Sequence, residues 1–125
     1  MKITLFSFGF KHGRPEADMV LDVRFLPNPY WVPELKEHTG LEEPVAAYVL
    51  ESEVGRELLE QLEPFLAFLL KSHKQAERKE FSCAIGCTGG RHRSVAVTEH
   101  LRRVFIDLTS KGDELIAFHR DIDRV

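Results

Sequence analysis

The chain has 125 residues, is 43% hydrophobic and 30% charged, and carries a formal net charge of −3. That length is expected to form one domain with one core, 1–125, and the composition is that of a globular protein, which excludes disordered and fibrous classes. No apolar run approaches the roughly 20 residues needed to cross a bilayer, the start MKITLFSFGF lacks a long apolar stretch and a cleavage site, and the acidic balance argues against a body wrapped in nucleic acid. The expected compartment is the cytoplasm, with no membrane partner.

KITLFSFGF (2–10) is rich in β-branched and aromatic residues and ends at a polar turn, KHGRPEAD, which predicts a first strand. MVLDVRFL (19–26) is apolar except for Asp22 and Arg24, two apart and therefore on one face of a second strand. From Pro27 to Pro44 the prolines at 27, 29, 33 and 44 remove donors and constrain their predecessors, so the stretch reads as a long ordered loop in which Tyr30, Trp31 and Leu35 pack. Between about 54 and 75, Leu58, Leu62, Phe65 and Leu69 recur at helical spacing, and Pro64 is expected to kink or divide that helix. EFSCAIG (80–86) predicts a third strand; a helix then runs from near His92 to 109 on Val97, Leu101, Val104, Phe105 and Leu108, and ELIAFHRD (114–121) reads as a last strand. Strands alternating with helices predict a three-layer α/β fold, a small, mainly parallel sheet of about four strands with helices packed on it. In such sheets ligands bind beyond the carboxyl ends of the strands.

The stretch AIGCTGGRHRSVAV (84–97) lies at such an end. Strand, glycine turn and helix start together offer an anion close backbone approach, unpaired amides and a favourable dipole. Cys87, Thr88, Gly89, Gly90, Arg91, His92, Arg93 and Ser94 are the candidate phosphate-binding residues: the hydroxyls, imidazole and guanidinium groups are donors, and arginine matches phosphate oxygens in two-pronged geometry. Two arginines in the first turn oppose the helix dipole, a conflict that a captured anion relieves. A Walker A loop is excluded, because G-x-x-x-x-G-K-[ST] starting at Gly86 needs glycine at the position of Arg91.

The same residues satisfy C-x5-R-[ST], with Cys87, Arg93 and Ser94 as in cysteine phosphatases; that alternative needs a general acid, for which Asp18 or Asp22 would have to fold alongside. Cys83 and Cys87 lie roughly 13 Å apart if their strand is extended, beyond disulfide reach, and are expected to be free thiols. The six histidines show no pair at metal-ligand spacing with a further ligand, so neither a metal site nor a cofactor is expected.

SFGFKHG (7–13), ADMVLDVRFLPNPYW (17–31), TGLEEPVAAYV (39–49), AIGCTGGRHRSVAVTEHL (84–101) and HRD (119–121) together resemble, in order, the C-terminal domain of the RNase adapter protein RapZ family. The resemblance implies a non-enzymatic domain that binds glucosamine-6-phosphate, takes part in small-RNA binding and in homo-oligomers, and follows a P-loop domain in the full-length protein. It implies that Thr88, Gly89, His92 and Arg93 contact the sugar phosphate. Lys11, His12, Arg24, Asn28 and Tyr30 are then expected on the same face or on an RNA face. Two departures stand out: Tyr30 occupies a position where some members have histidine, and HRDIDRV is not followed by the basic cluster of RNA-binding members. With Met1 at its start, the chain is expected to be a free-standing relative. The expected function is that of a sugar-phosphate sensor or regulatory module whose further partners are RNA or a regulatory protein.

Overall fold

The computed structural model describes residues 1–124. Four strands, β1 (Lys2–Gly9), β2 (Met19–Asp22), β3 (Glu80–Cys87) and β4 (Glu114–His119), form one sheet in the order β2-β3-β1-β4, every neighbouring pair parallel. Three helices join them: α1 (Glu43–Leu50), α2 (Glu53–Gln75) and α3 (Arg93–Leu108). Short 3-10 turns at Phe10–His12 and Pro29–Trp31 follow β1 and β2. The fold is three-layer α/β, as the alternation of elements predicts.

The two central strands are buried almost throughout, which is why they read as apolar runs rather than as alternating patterns. On one face Ile3 and Leu5 of β1 and Phe81, Cys83 and Ile85 of β3 pack against Val49 of α1, Leu62, Leu66 and Leu70 of α2 and Leu101 and Phe105 of α3. On the other face Phe6, Phe8 and Ala84 pack with Val20 of β2 and with Phe10 and Ala17 of the β1–β2 crossover, so the crossover supplies the cover on this side. Each large side chain fully buried here contributes about 1.5–3 kcal/mol.

Four boundaries differ from the sequence expectation. β2 ends at Asp22 rather than continuing to 26: the Val23 amide still donates to Gly86 O (2.9 Å), but the chain then turns away, with Val23 and Leu26 buried in the core. β4 stops at His119, and Arg120 and Asp121 lie in the turn beyond it. Pro64 does not divide α2, which runs unbroken for 23 residues; Pro64 and Glu60 are both exposed, so the Glu60 carbonyl freed by the proline faces water. The fourth is α1, which has no counterpart in the sequence reading. Pro44 looks like a breaker but sits in the first turn, where its missing amide has no helical partner to lose.

Candidate anion-binding site

β3 delivers Cys87, and the chain turns through Thr88–Arg91 before α3 begins at Arg93 with His92 as its N-cap. Gly90 takes φ +78°, a left-handed conformation that side chains resist. The turn passes hard against the end of β1: a Cβ on Gly9 would lie 2.5 Å from Gly89 C and O, so only glycine permits this approach. Three neighbours then clamp the turn and its support. Lys11 N donates to Thr88 O (3.2 Å), Gly40 N donates to Arg91 O (2.9 Å), and Gly9 N donates to Asp121 Oδ2 (2.8 Å).

The HRD motif is this support. His119 bridges Ser7 Oγ (2.7 Å) and Glu99 Oε2 (2.8 Å), tying β4 to β1 and α3. Asp121 is fully buried and also accepts from Arg120. Burial opposes its ionisation, but the hydrogen bonds from Arg120 and Gly9 N and the charges of Arg120 and Arg124 outweigh that and hold its pKa below the ordinary 3.8.

Above the turn lies a cavity of about 620 Å³. The turn and helix start line it with Cys87, Thr88, Gly89, Arg91, His92 and Arg93; Lys11, Asn28, Tyr30, Trp31, Lys36, Glu37 and Arg124 come from elsewhere in the chain. Among the described residues its cations are Lys11, Lys36, Arg91, Arg93 and Arg124, and its one carboxylate side chain is Glu37. Arg93 is only 5% exposed, yet no carboxylate bonds it among the described residues. Its Nη1 donates to Arg24 O (2.6 Å) and Leu26 O (3.4 Å) and its Nη2 to Thr88 Oγ1 (3.4 Å), while Nε has no partner. Asp22 feels the Arg93 charge but does not bond it, and a buried guanidinium with no directly paired carboxylate and a free donor is costly unless an anion completes it.

Arg91 is steadied by Nε donating to Ile122 O (2.9 Å). His92 Nε2 lies 3.0 Å from Lys36 O, so it is the protonated nitrogen. Burial lowers the His92 pKa and the Arg91 and Arg93 charges add to this, outweighing the backbone carbonyls of His38 and Lys36. At neutral pH His92 is therefore an uncharged donor.

The other expected residues fall as follows. Lys11, Asn28 and Tyr30 line the cavity; His12 and Arg24 do not. Arg24 lies over the Phe10 ring (4.0 Å) and pairs two-pronged with Asp22, reaching 2.6 Å, although its carbonyl holds Arg93. Gly90 and Ser94 are buried and do not line the cavity. The Ser94 amide points to Cys87 Sγ (3.4 Å), so this helix-start donor serves the thiol rather than a ligand. Sequence reasoning missed Lys36, Glu37 and Arg124, which tertiary folding alone brings here. It also read Trp31 as a packing residue, whereas Trp31 is 76% exposed at the cavity.

The thiol chemistry has little geometry behind it. Cys87 is 2% exposed and donates to Ser94 Oγ (3.1 Å). Neither proposed acid lines the cavity: Asp22 is held by Arg24, and Asp18 accepts from Ser82 N (2.9 Å). Cys83 and Cys87 are free thiols, and burial pushes Cys83 up to about 12. Among the described residues no cluster of three or more His, Cys, Asp and Glu is arranged to hold a metal ion, and no helix is long and apolar enough to cross a membrane.

Fold and site together define a parallel α/β domain with a cationic cavity at the carboxyl ends of its strands, where a glycine turn enters a helix. Residues 1–123 match the family model described as the RapZ C-terminal domain, and the chain belongs to that family. Among its relatives are proteins named "Nucleotide-binding protein" from Corynebacterium aurimucosum and Desulforamulus reducens, each 48% identical over 124 residues. Another of the same name, from Nitratidesulfovibrio vulgaris, is 54% identical over 125 residues. In all three the match covers 98% of this chain but 41% of the relative, so the chain spans about two fifths of their length.

Proposed function

We propose that the cavity binds a phosphorylated small molecule, an amino-sugar phosphate such as glucosamine-6-phosphate, and that the domain acts as a sensor or regulatory module. The carrying observation is Arg93, a buried cation with an unpartnered Nε and, among the described residues, no carboxylate bonded to it, at the wall of a cavity with cations from four other side chains. In this reading Arg93 and Arg91 take phosphate oxygens, Thr88 Oγ1 and uncharged His92 donate to them, and Lys11 completes the charge. A volume of about 620 Å³ falls in the range of small-molecule sites, about 300–1,000 Å³. The cations line a concavity rather than an open stripe, which favours a small ligand over RNA as the occupant.

Titration calorimetry with glucosamine-6-phosphate, glucose-6-phosphate and inorganic phosphate tests this. Arg93→Ala is expected to weaken binding at least tenfold, about 1.4 kcal/mol. Arg93→Lys is expected to recover little, because an ammonium lacks the planar fork. Arg91→Ala, at a half-buried position, gives a second reading should Arg93 variants melt early. Absence of binding by all three compounds to the unaltered protein would falsify the proposal.

A further inference from the structure

We infer that the outer face of α2 is a docking surface for a cationic amphipathic helix of a partner protein. The face follows from the spacing of its residues. Leu62, Leu66 and Leu70 turn one side of α2 into the core, the single apolar stripe that a surface helix requires. At about 100° per residue, Val54, Gln61, Phe65 and Phe68 fall within about 60° of one another and about 100–160° from the centre of that row. Three of these four are apolar side chains facing water: Val54 is 38% exposed, Phe65 48% and Phe68 59%. Folding accounts for the inner stripe and leaves the outer one without a partner.

The charge beside the strip sets the sign of what covers it. Glu53, Glu57 and Glu60 occupy roughly the next 60° of the helix circumference. With Glu51 they surround a shallow concavity whose only cation among the described residues is Arg56. Glu63, on the inner side, reaches His100 at 3.4 Å, but among the described residues none of those four carboxylates forms an ion pair. Glu57 stands four residues after Glu53 and three before Glu60, spacings at which like charges repel along a helix. Lysine or arginine side chains laid across this row relieve the repulsion. The same row opposes other coverings: an anionic lipid surface or a nucleic acid is repelled, and a second copy packed face to face would set its glutamates against these.

The strip also has the length of a helix contact. From Val54 to Phe68 it runs roughly 21 Å at about 1.5 Å per residue, and Pro64 does not interrupt it. A partner helix of about four turns covers that distance, with apolar side chains three and four apart seated around Phe65 and Phe68 and a cationic row over Glu53, Glu57 and Glu60.

Fluorescence anisotropy with three synthetic peptides of about 20 residues tests this. The first carries leucines at i, i+3, i+4 and i+7 flanked by lysines. The second has glutamate in place of every lysine, and the third has the composition of the first in an order that forms no apolar stripe. The lysine peptide is expected to bind at least tenfold more tightly than either of the others, and more weakly as salt rises. Phe65→Ser with Phe68→Ser, and separately Glu57→Lys with Glu60→Lys, should each weaken it at least fivefold. All four positions are exposed, so both variants are expected to keep a cooperative urea transition, and the loss then reads the face rather than the fold. Failure of the lysine peptide to bind, equal binding of the glutamate or reordered peptide, or binding untouched by the phenylalanine substitutions overturns the proposal. So does a dimer of the unaltered protein in sedimentation equilibrium that Phe65→Ser with Phe68→Ser dissociates, because a second copy is then the occupant.

Discussion

Arg93 concentrates the electrostatics of the site in one residue. Two backbone carbonyls and a hydroxyl satisfy part of its fork but neutralise none of its charge. Its neighbour His92 is held neutral mainly by burial, so it gains a proton only below the ordinary 6.5. A bound phosphate would reverse part of that effect by placing negative charge beside the ring. NMR titration of the His92 ring should show a pKa below 6.5 in the free protein and a rise with saturating glucosamine-6-phosphate; an unmoved value would place the anion elsewhere. A different residue carries backbone strain: Glu77, just past the end of α2, has φ +59°, the only positive φ outside glycine among the described residues. Its side chain is exposed, so Glu77→Gly should stabilise the protein by about 0.5–1 kcal/mol, read as a raised urea midpoint at constant slope.

At the scale of elements, the glycine turn works because two backbones touch. Gly9 of β1 and Gly89–Gly90 of the turn leave no room for a methyl group, and the obstructing atoms are backbone, which cannot swing aside. Gly9→Ala is therefore expected to cost about 1–3 kcal/mol in chemical denaturation and to weaken phosphate binding, since it displaces the turn. This turn was legible from AIGCTGGRHRSVAV because strand, glycines and helix start are consecutive in the chain. The parallel order of β3, α3 and β4 was legible for the same reason. α1 was not, because Pro44 signals a break in either a loop or a first helical turn, and only packing of Val45 and Val49 into the core decides between them. The far wall of the cavity was equally hidden: Lys36, Glu37 and Arg124 stand in ordinary polar surroundings in the sequence, and nothing local marks them. Arg24 misled for a related reason, since its side chain turns to Asp22 and its carbonyl, invisible to sequence patterns, does the supporting.

For the whole molecule, charge and pH follow from where ionisable groups settle. Asp113, bound by Lys74 and by Ser110 N, is held well below the usual carboxylate range, and Asp121 and Asp22 are also lowered. A lowered folded pKa means that the unfolded chain takes up protons first as pH falls, so these groups stabilise the fold above about 3.8 and that contribution drains away below it. His92 acts in the same direction below 6.5, because its buried ring resists the proton that an unfolded chain accepts. Urea midpoints should therefore be highest near neutrality, slightly lower at pH 5 and steeply lower at pH 3; a midpoint rising on acidification would contradict the arrangement. The stretch after β4 has a consequence of its own. Asp121 grips the end of β1, Ile122 O steadies Arg91, and Arg124 reaches the cavity, although none of the three belongs to a strand or helix. A polypeptide cut back to His119 would retain its entire scaffold of strands and helices, yet the vessel it forms would have a slack rim and hold its guest poorly.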